Sequence, residues 1–156
     1  MSASRQFAIV TGASSAIGLE RAKRCAQDNF DLLIAADEPR IETAAAEIRT
    51  LGATVEAIEA DLSTIAGVDK LYAASKRIGR PVDALLANAG IGLGHAFLDQ
   101  DFNQARRVTD TNITGTVYLV HRVGNDVRRR NAGRMLITGS IAGFTLGSFQ
   151  AVYNGS

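Results

Sequence analysis

Five short apolar runs punctuate the chain, and each ends in small or polar residues. Phe7-Ala8-Ile9-Val10 meets Thr11-Gly12, and Leu32-Leu33-Ile34-Ala35-Ala36 meets Asp37-Glu38-Pro39. Thr54-Val55-Glu56-Ala57-Ile58 leads to Asp61, Ala84-Leu85-Leu86-Ala87 to Asn88-Ala89-Gly90, and Met135-Leu136-Ile137 to Thr138-Gly139-Ser140. Short continuous apolar runs suit strands buried on both faces. Helix-length segments lie between them, over residues 17–27, 40–51 and 63–78. Gly52 is a stop signal for the second, and Ser63 or Thr64 a cap for the third. Residues 101–130 are long enough for one helix of about seven to eight turns. Its awkward member is Gly115, which costs about 1 kcal/mol against Ala in a helix. This alternation predicts an α/β fold, a doubly wound parallel sheet with helices on both faces. All strand C-termini then share one edge, and ligands bind outside that edge.

Composition narrows the function classes. A length of 156 residues suits one domain, spanning residues 1–156. Hydrophobic residues make up 46% and charged residues 21%, which argues for a globular chain rather than a disordered one. Seventeen basic and 16 acidic side chains are too balanced for binding nucleic acid mainly through a basic field. Arg128-Arg129-Arg130 ends the long helical segment, where cations complement the helix dipole. One cysteine, Cys25, and two histidines, His95 and His121, make no four-ligand zinc site without carboxylates, so no metal is expected. Both histidines precede Ser140, and no G-x-S-x-G surrounds it, which disfavours a serine hydrolase. No run of 18 apolar residues and no long apolar leader precede or interrupt the strands. The expectation is a reducing, cytoplasmic setting without membrane contact.

The turn Thr11-Gly12-Ala13-Ser14-Ser15-Ala16-Ile17-Gly18 joins the first strand to the first helix. Gly12 permits a tight turn, and small residues let backbone N–H groups approach a pyrophosphate. Gly18 permits close helix–sheet packing, and the Ser14 and Ser15 hydroxyls can donate to phosphate oxygens.

This segment resembles the TGxxxGxG turn of the short-chain dehydrogenase/reductase family. Ala16 stands where that family usually has its middle glycine, and its methyl group is expected to narrow the approach to the cofactor slightly. Four further landmarks follow in order. Asp61, with Leu62 beside it, follows the third run, where the family's Asp contacts adenine. Asn88-Ala89-Gly90 matches the NAG motif, Asn112 the mid-helix Asn, and Ser140 the serine after the fifth strand. Tyr153 comes 13 positions after Ser140, the family spacing.

The resemblance implies an NAD(P)(H)-dependent oxidoreductase that moves a hydride between nicotinamide and an alcohol or ketone. It implies Tyr153 as acid/base, Ser140 as donor to the substrate oxygen, and Asn112 as the group ordering a water behind a lysine. Cofactor binding falls to Gly12, Ser14, Ser15, Ala16, Ile17, Gly18, Asp37, Asp61, Leu62, Asn88, Ala89, Gly90 and Tyr153. A free phenol titrates near pH 10, so the family lowers its tyrosine with the nicotinamide charge and a lysine. That lysine belongs to a Tyr-x-x-x-Lys pattern, whereas Tyr153-Asn154-Gly155-Ser156 closes the sequence one position earlier. The sequence thus reads as a Rossmann-like dinucleotide-binding domain lacking the family's C-terminal strands, helices and lid. The alternatives are a non-catalytic dinucleotide-binding protein or inactive fragment, and a fold-only relative such as a nucleotide-utilising transferase.

Cofactor choice is read just past the second strand. Asp37 and Glu38 disfavour a 2′-phosphate, and Arg40 could partly offset them, so NAD is expected over NADP. The apolar stretch 141–149, with Phe144, Leu146 and Phe149, suits a hydrophobic alcohol or ketone, or equally a core or partner surface. The long helical segment could supply part of a homo-oligomer interface.

Overall fold

The computed structural model describes residues 4–156. Five parallel strands form one sheet: β1 (Gln6–Thr11), β2 (Phe30–Ala36), β3 (Val55–Glu59), β4 (Ala84–Ala87) and β5 (Arg134–Ile137). Their order is β3-β2-β1-β4-β5. The chain therefore reverses its direction of travel across the sheet at β1, and the crevice between the ends of β1 and β4 is the switch point where such sheets take ligands.

The central strands are buried on both faces, which is why they read as unbroken apolar runs. Successive side chains point to opposite faces. Ala8, Val10, Leu32 and Ile34 meet α1 (Ala16–Gln27) and α2 (Arg40–Arg49) on one side. Phe7, Ile9, Leu33 and Leu85 meet α3 (Ile65–Arg77) and the helix over Thr116–Arg130 on the other. Each helix buries a stripe at helical spacing: Gly18, Ala22 and Ala26 on α1, and Ile41, Ala44, Ala45 and Ile48 on α2. Thr64, not Ser63, caps α3, its hydroxyl accepting from the Gly67 N–H at 2.9 Å.

The expected helix over 101–130 is present but not uniform. It runs as α4 (Phe102–Thr109), a widened π-type turn (Asp110–Gly115) and α5 (Thr116–Arg130). Asp101 caps its start by accepting from the Gln104 N–H at 3.0 Å. Gly115 is not a blemish of this helix but a condition of its packing. A Cβ there would lie 1.9 Å from the Leu62 carbonyl oxygen. The helix comes that close only because position 115 has no side chain. The π-type turn adds one residue to the helical circuit and re-aims Asn112, a common device near functional sites.

Beyond β5 the chain forms a 3₁₀ turn (Ile141–Phe144) and the short α6 (Ala151–Asn154). Here burial stops: Leu136, Ile137, Ile141, Phe144 and Leu146 are all exposed. No helix is long and apolar enough to cross a membrane among the described residues.

Candidate dinucleotide cleft and active site

The site is built along the C-terminal edge of the sheet. At its centre the chain leaves β1 through Gly12, whose φ of +63° only glycine adopts without strain. A Cβ at Gly12 would approach the Ala89 Cα to 2.9 Å. Gly18 is tighter still, since a Cβ would stand 2.0 Å from the Gly12 carbonyl oxygen. These two glycines therefore let the turn, α1 and the β4 exit loop nest together. Helix α1 opens without a side-chain cap, so its first-turn N–H groups remain available at the cleft. That arrangement suits an anionic group.

Ala16 adopts φ +46°. The glycine expected at this position is thus wanted for its backbone freedom. The consequence of alanine here is conformational, about 1–2 kcal/mol of left-handed strain, more than a narrowing of the cleft. Ser14 also differs from expectation. It is buried, and its hydroxyl donates to Glu38 Oε1 at 2.6 Å, which commits it away from a phosphate. Ser15 keeps its place in the wall of the cleft.

The β4 exit loop is pinned from both sides. Thr11 Oγ1 accepts from the Asn88 and Ala89 N–H groups at 2.9 and 3.0 Å. Asn112 Oδ1 accepts from the Ile91 N–H at 2.9 Å, while its Nδ2 donates to the Ile91 carbonyl at 3.0 Å. Asn112 thus grips the backbone beyond the NAG motif, and its Nδ2 also donates to Ser156 Oγ at 2.8 Å. Its carboxamide is committed to protein partners.

Two contiguous cavities line this edge and share Gly12, Ser15, Ala89, Gly90 and Ile91 in their walls. The first, about 230 Å³, reaches Asp37, Asp61 and Leu62. The second, about 420 Å³, collects Gly18, Asn88, Asn112, Ser140 and Tyr153. Joined, they fall in the size range of small-molecule sites. The expected residues from the phosphate turn to Tyr153 therefore meet in one elongated cleft. Ser140 Oγ accepts from the Ala142 N–H at 3.1 Å, which orients its hydroxyl and leaves the proton free to donate. The Tyr153 ring lies beside Gly92, where a Cβ would sit 3.8 Å from it.

Two arginines at this edge escaped sequence reasoning. Arg107, on α4, donates to Asp61 Oδ2 at 2.9 Å and to Asp37 Oδ2 at 2.8 Å. It, rather than Arg40, offsets the carboxylates past β2, a correction to the sequence reading. Burial would raise the Asp61 carboxyl, but hydrogen bonds from Ser63 and the Arg107 guanidinium outweigh this and hold it below the usual carboxylate value. The Asp61 hydrogen bond in turn raises Arg107. Arg21, on α1, donates to Asn88 Oδ1 at 3.3 Å and to Thr138 Oγ1, tying the ends of β4 and β5 together. Neither partnership follows a motif or a short spacing. Arg107 lies 46 and 70 residues from its partners, so only the folded chain reveals it. Among the described residues no cluster of three or more His, Cys, Asp or Glu side chains could hold a metal ion.

Comparison with known proteins agrees with this architecture. The profile of the short chain dehydrogenase family matches residues 6–156. An L-rhamnose 1-dehydrogenase (NAD(P)(+)) of Azotobacter vinelandii is 32% identical over 151 residues, covering 93% of this chain and 59% of the relative. An actinorhodin polyketide ketoreductase solved with NADPH superposes with a TM-score of 0.92 at 28% identity, over 99% of this chain and 61% of that one. An NAD⁺-bound xylitol dehydrogenase gives 0.87 at 26% identity, over 96% and 58%. The chain spans between 44% and 65% of the length of the curated relatives it matches. Relatives and structural neighbours include users of both NAD and NADP. With its parallel sheet, glycine turn and family-wide match, the chain belongs to the short chain dehydrogenase family.

Proposed function

We propose that the protein is an NAD(P)(H)-dependent oxidoreductase acting on an alcohol or its ketone, with NAD preferred. The observation that carries this reading is the single cleft that joins the Gly12–Gly18 turn to Ser140 and Tyr153. The cradle that a Cβ at Gly12 or Gly18 would fill, and the uncapped start of α1, fit a pyrophosphate. When bound, the nicotinamide supplies the hydride chemistry.

The remaining work falls to the chain. Asp37 and Asp61 flank the adenosine end, where a carboxylate suits a ribose 2′-OH and supports the preference for NAD. Asn88, Ala89 and Gly90, pinned by Thr11 and Asn112, form a fixed wall. The Ser140 hydroxyl, oriented by Ala142, donates to the substrate oxygen. The Tyr153 phenol exchanges a proton with that oxygen, as base in oxidation and acid in reduction. Asn112 is a positioning residue for the loop at Ile91.

The test is turnover with a panel of alcohols plus NAD⁺ and ketones plus NADH. Tyr153→Phe is expected to abolish turnover and leave NADH binding within about twofold, since it removes only the proton-transfer group. Turnover that survives the substitution contradicts the assignment. Binding without turnover in the unsubstituted protein supports a non-catalytic dinucleotide-binding role instead.

A further inference from the structure

Resting on the dinucleotide reading above, we propose that Arg107 sets how strictly the adenosine end rejects a 2′-phosphate, so that the cleft prefers NAD yet admits NADP. Three carboxylates gather where the ribose would lie: Asp37, Glu38 and Asp61. Glu38 is turned to the Ser14 hydroxyl at 2.6 Å. Asp61 spends Oδ1 on the Ser63 N–H and hydroxyl, at 3.0 and 2.7 Å. Asp37 Oδ2 accepts from the Arg107 guanidinium, and its Oδ1 takes no hydrogen bond among the described residues and so is left to accept from a ribose hydroxyl.

Arg107 is the cation joined to this group; Arg40 forms no ion pair among the described residues. The three side chains of the bridge are each about half exposed, at 43% for Arg107, 48% for Asp37 and 39% for Asp61. Ion pairs that wet rearrange at little cost. A planar guanidinium matches a phosphate with two parallel hydrogen bonds and can turn to one entering beside Asp37. A 2′-hydroxyl needs only the free Asp37 oxygen. Removing Arg107 thus leaves the NAD contact in place and confronts a phosphate with uncompensated carboxylates.

The experiment is fluorescence titration of the whole chain with NADH and NADPH, in parallel, for the unsubstituted protein, Arg107→Gln, Arg107→Lys and Asp37→Asn. Arg107→Gln is expected to weaken NADPH about tenfold and NADH by less than about threefold, as loss of one charge-assisted contact predicts. Arg107→Lys retains part of the NADPH affinity, and Asp37→Asn shifts the ratio toward NADPH. Raising salt from 50 to 500 mM, at about these concentrations, weakens NADPH more in the unsubstituted protein than in Arg107→Gln. Equal weakening of both cofactors makes Arg107 a structural brace and overturns the inference alone. Binding of neither cofactor by the unsubstituted chain overturns the dinucleotide reading and this inference with it.

Discussion

The two ends of the cleft are built differently. At the glycine-turn end, backbone leaves β1 and β2, strands with two neighbours each and side chains buried on both faces. Gly12 and Gly18 fit so closely against Ala89 and the turn that neither has room for a Cβ. At the other end, Ser140 follows β5, which has one neighbouring strand among the described residues and exposes Leu136 and Ile137, and Tyr153 lies on the short α6. Gly139 has open space around it. The first end is held by close packing; around the second, the Ala142 N–H donates to Ser140 Oγ, Arg21 donates to Thr138 Oγ1, and the Thr138 hydroxyl donates to Asn88 Oδ1.

Matched substitutions sharpen this contrast. Leu33→Ala, in fully buried β2, is expected to cost about 2–5 kcal/mol in chemical unfolding. Leu136→Ala, 47% exposed on β5, should cost less than about 1 kcal/mol. Similar costs would erase the contrast. Next in size, Gly18→Ala should destabilise by about 1–3 kcal/mol or more and abolish NADH binding, because its Cβ meets backbone. Gly139→Ala should stay within about 0.5 kcal/mol.

A smaller effect concerns Asp31, at the start of β2. Burial would raise its carboxyl, but Arg80, the Thr54 N–H and Arg5 together hold it below the usual value. A carboxylate lowered in the folded state stabilises above its unfolded value, near pH 4, and this is lost as pH falls through the folded value. Asp31→Asn is expected to cost about 1 kcal/mol at pH 7 and to flatten the fall in stability below about pH 4 in urea titrations. An unchanged acid limb would assign that fall to other carboxylates. Smallest, Ala16→Gly should raise stability by about 1 kcal/mol by releasing the left-handed strain at φ +46°.

Much of the fold was legible because each buried strand carries its own apolar run and each terminus its own turn chemistry. Ala84-Leu85-Leu86-Ala87 coincides with β4 residue for residue. The residues that line the cleft were legible where they sit just past a strand, as with Gly12, Asn88 and Ser140. The π-type turn inside the long helix was not, because such a turn is selected by what Gly115 and Asn112 meet across the fold, at Leu62 and Ile91. The commitment of Ser14 to Glu38 and of Arg107 to Asp37 and Asp61 escaped for the same reason. These are polar contacts between distant segments, and local sequence carries no periodic signal for them. Ala16 showed as a departure from pattern, but only its φ reveals that the consequence is backbone strain.

The most direct test of the account is an amide NMR titration of the chain with NADH. The two cavities are held here to be one dinucleotide cleft. Shifts at Gly12, Asp37 and Asp61 should therefore saturate on the same curve as shifts at Gly90, Ser140 and Tyr153. Saturation at the adenosine end with Ser140 and Tyr153 unmoved, or no saturable shift at all, would contradict it.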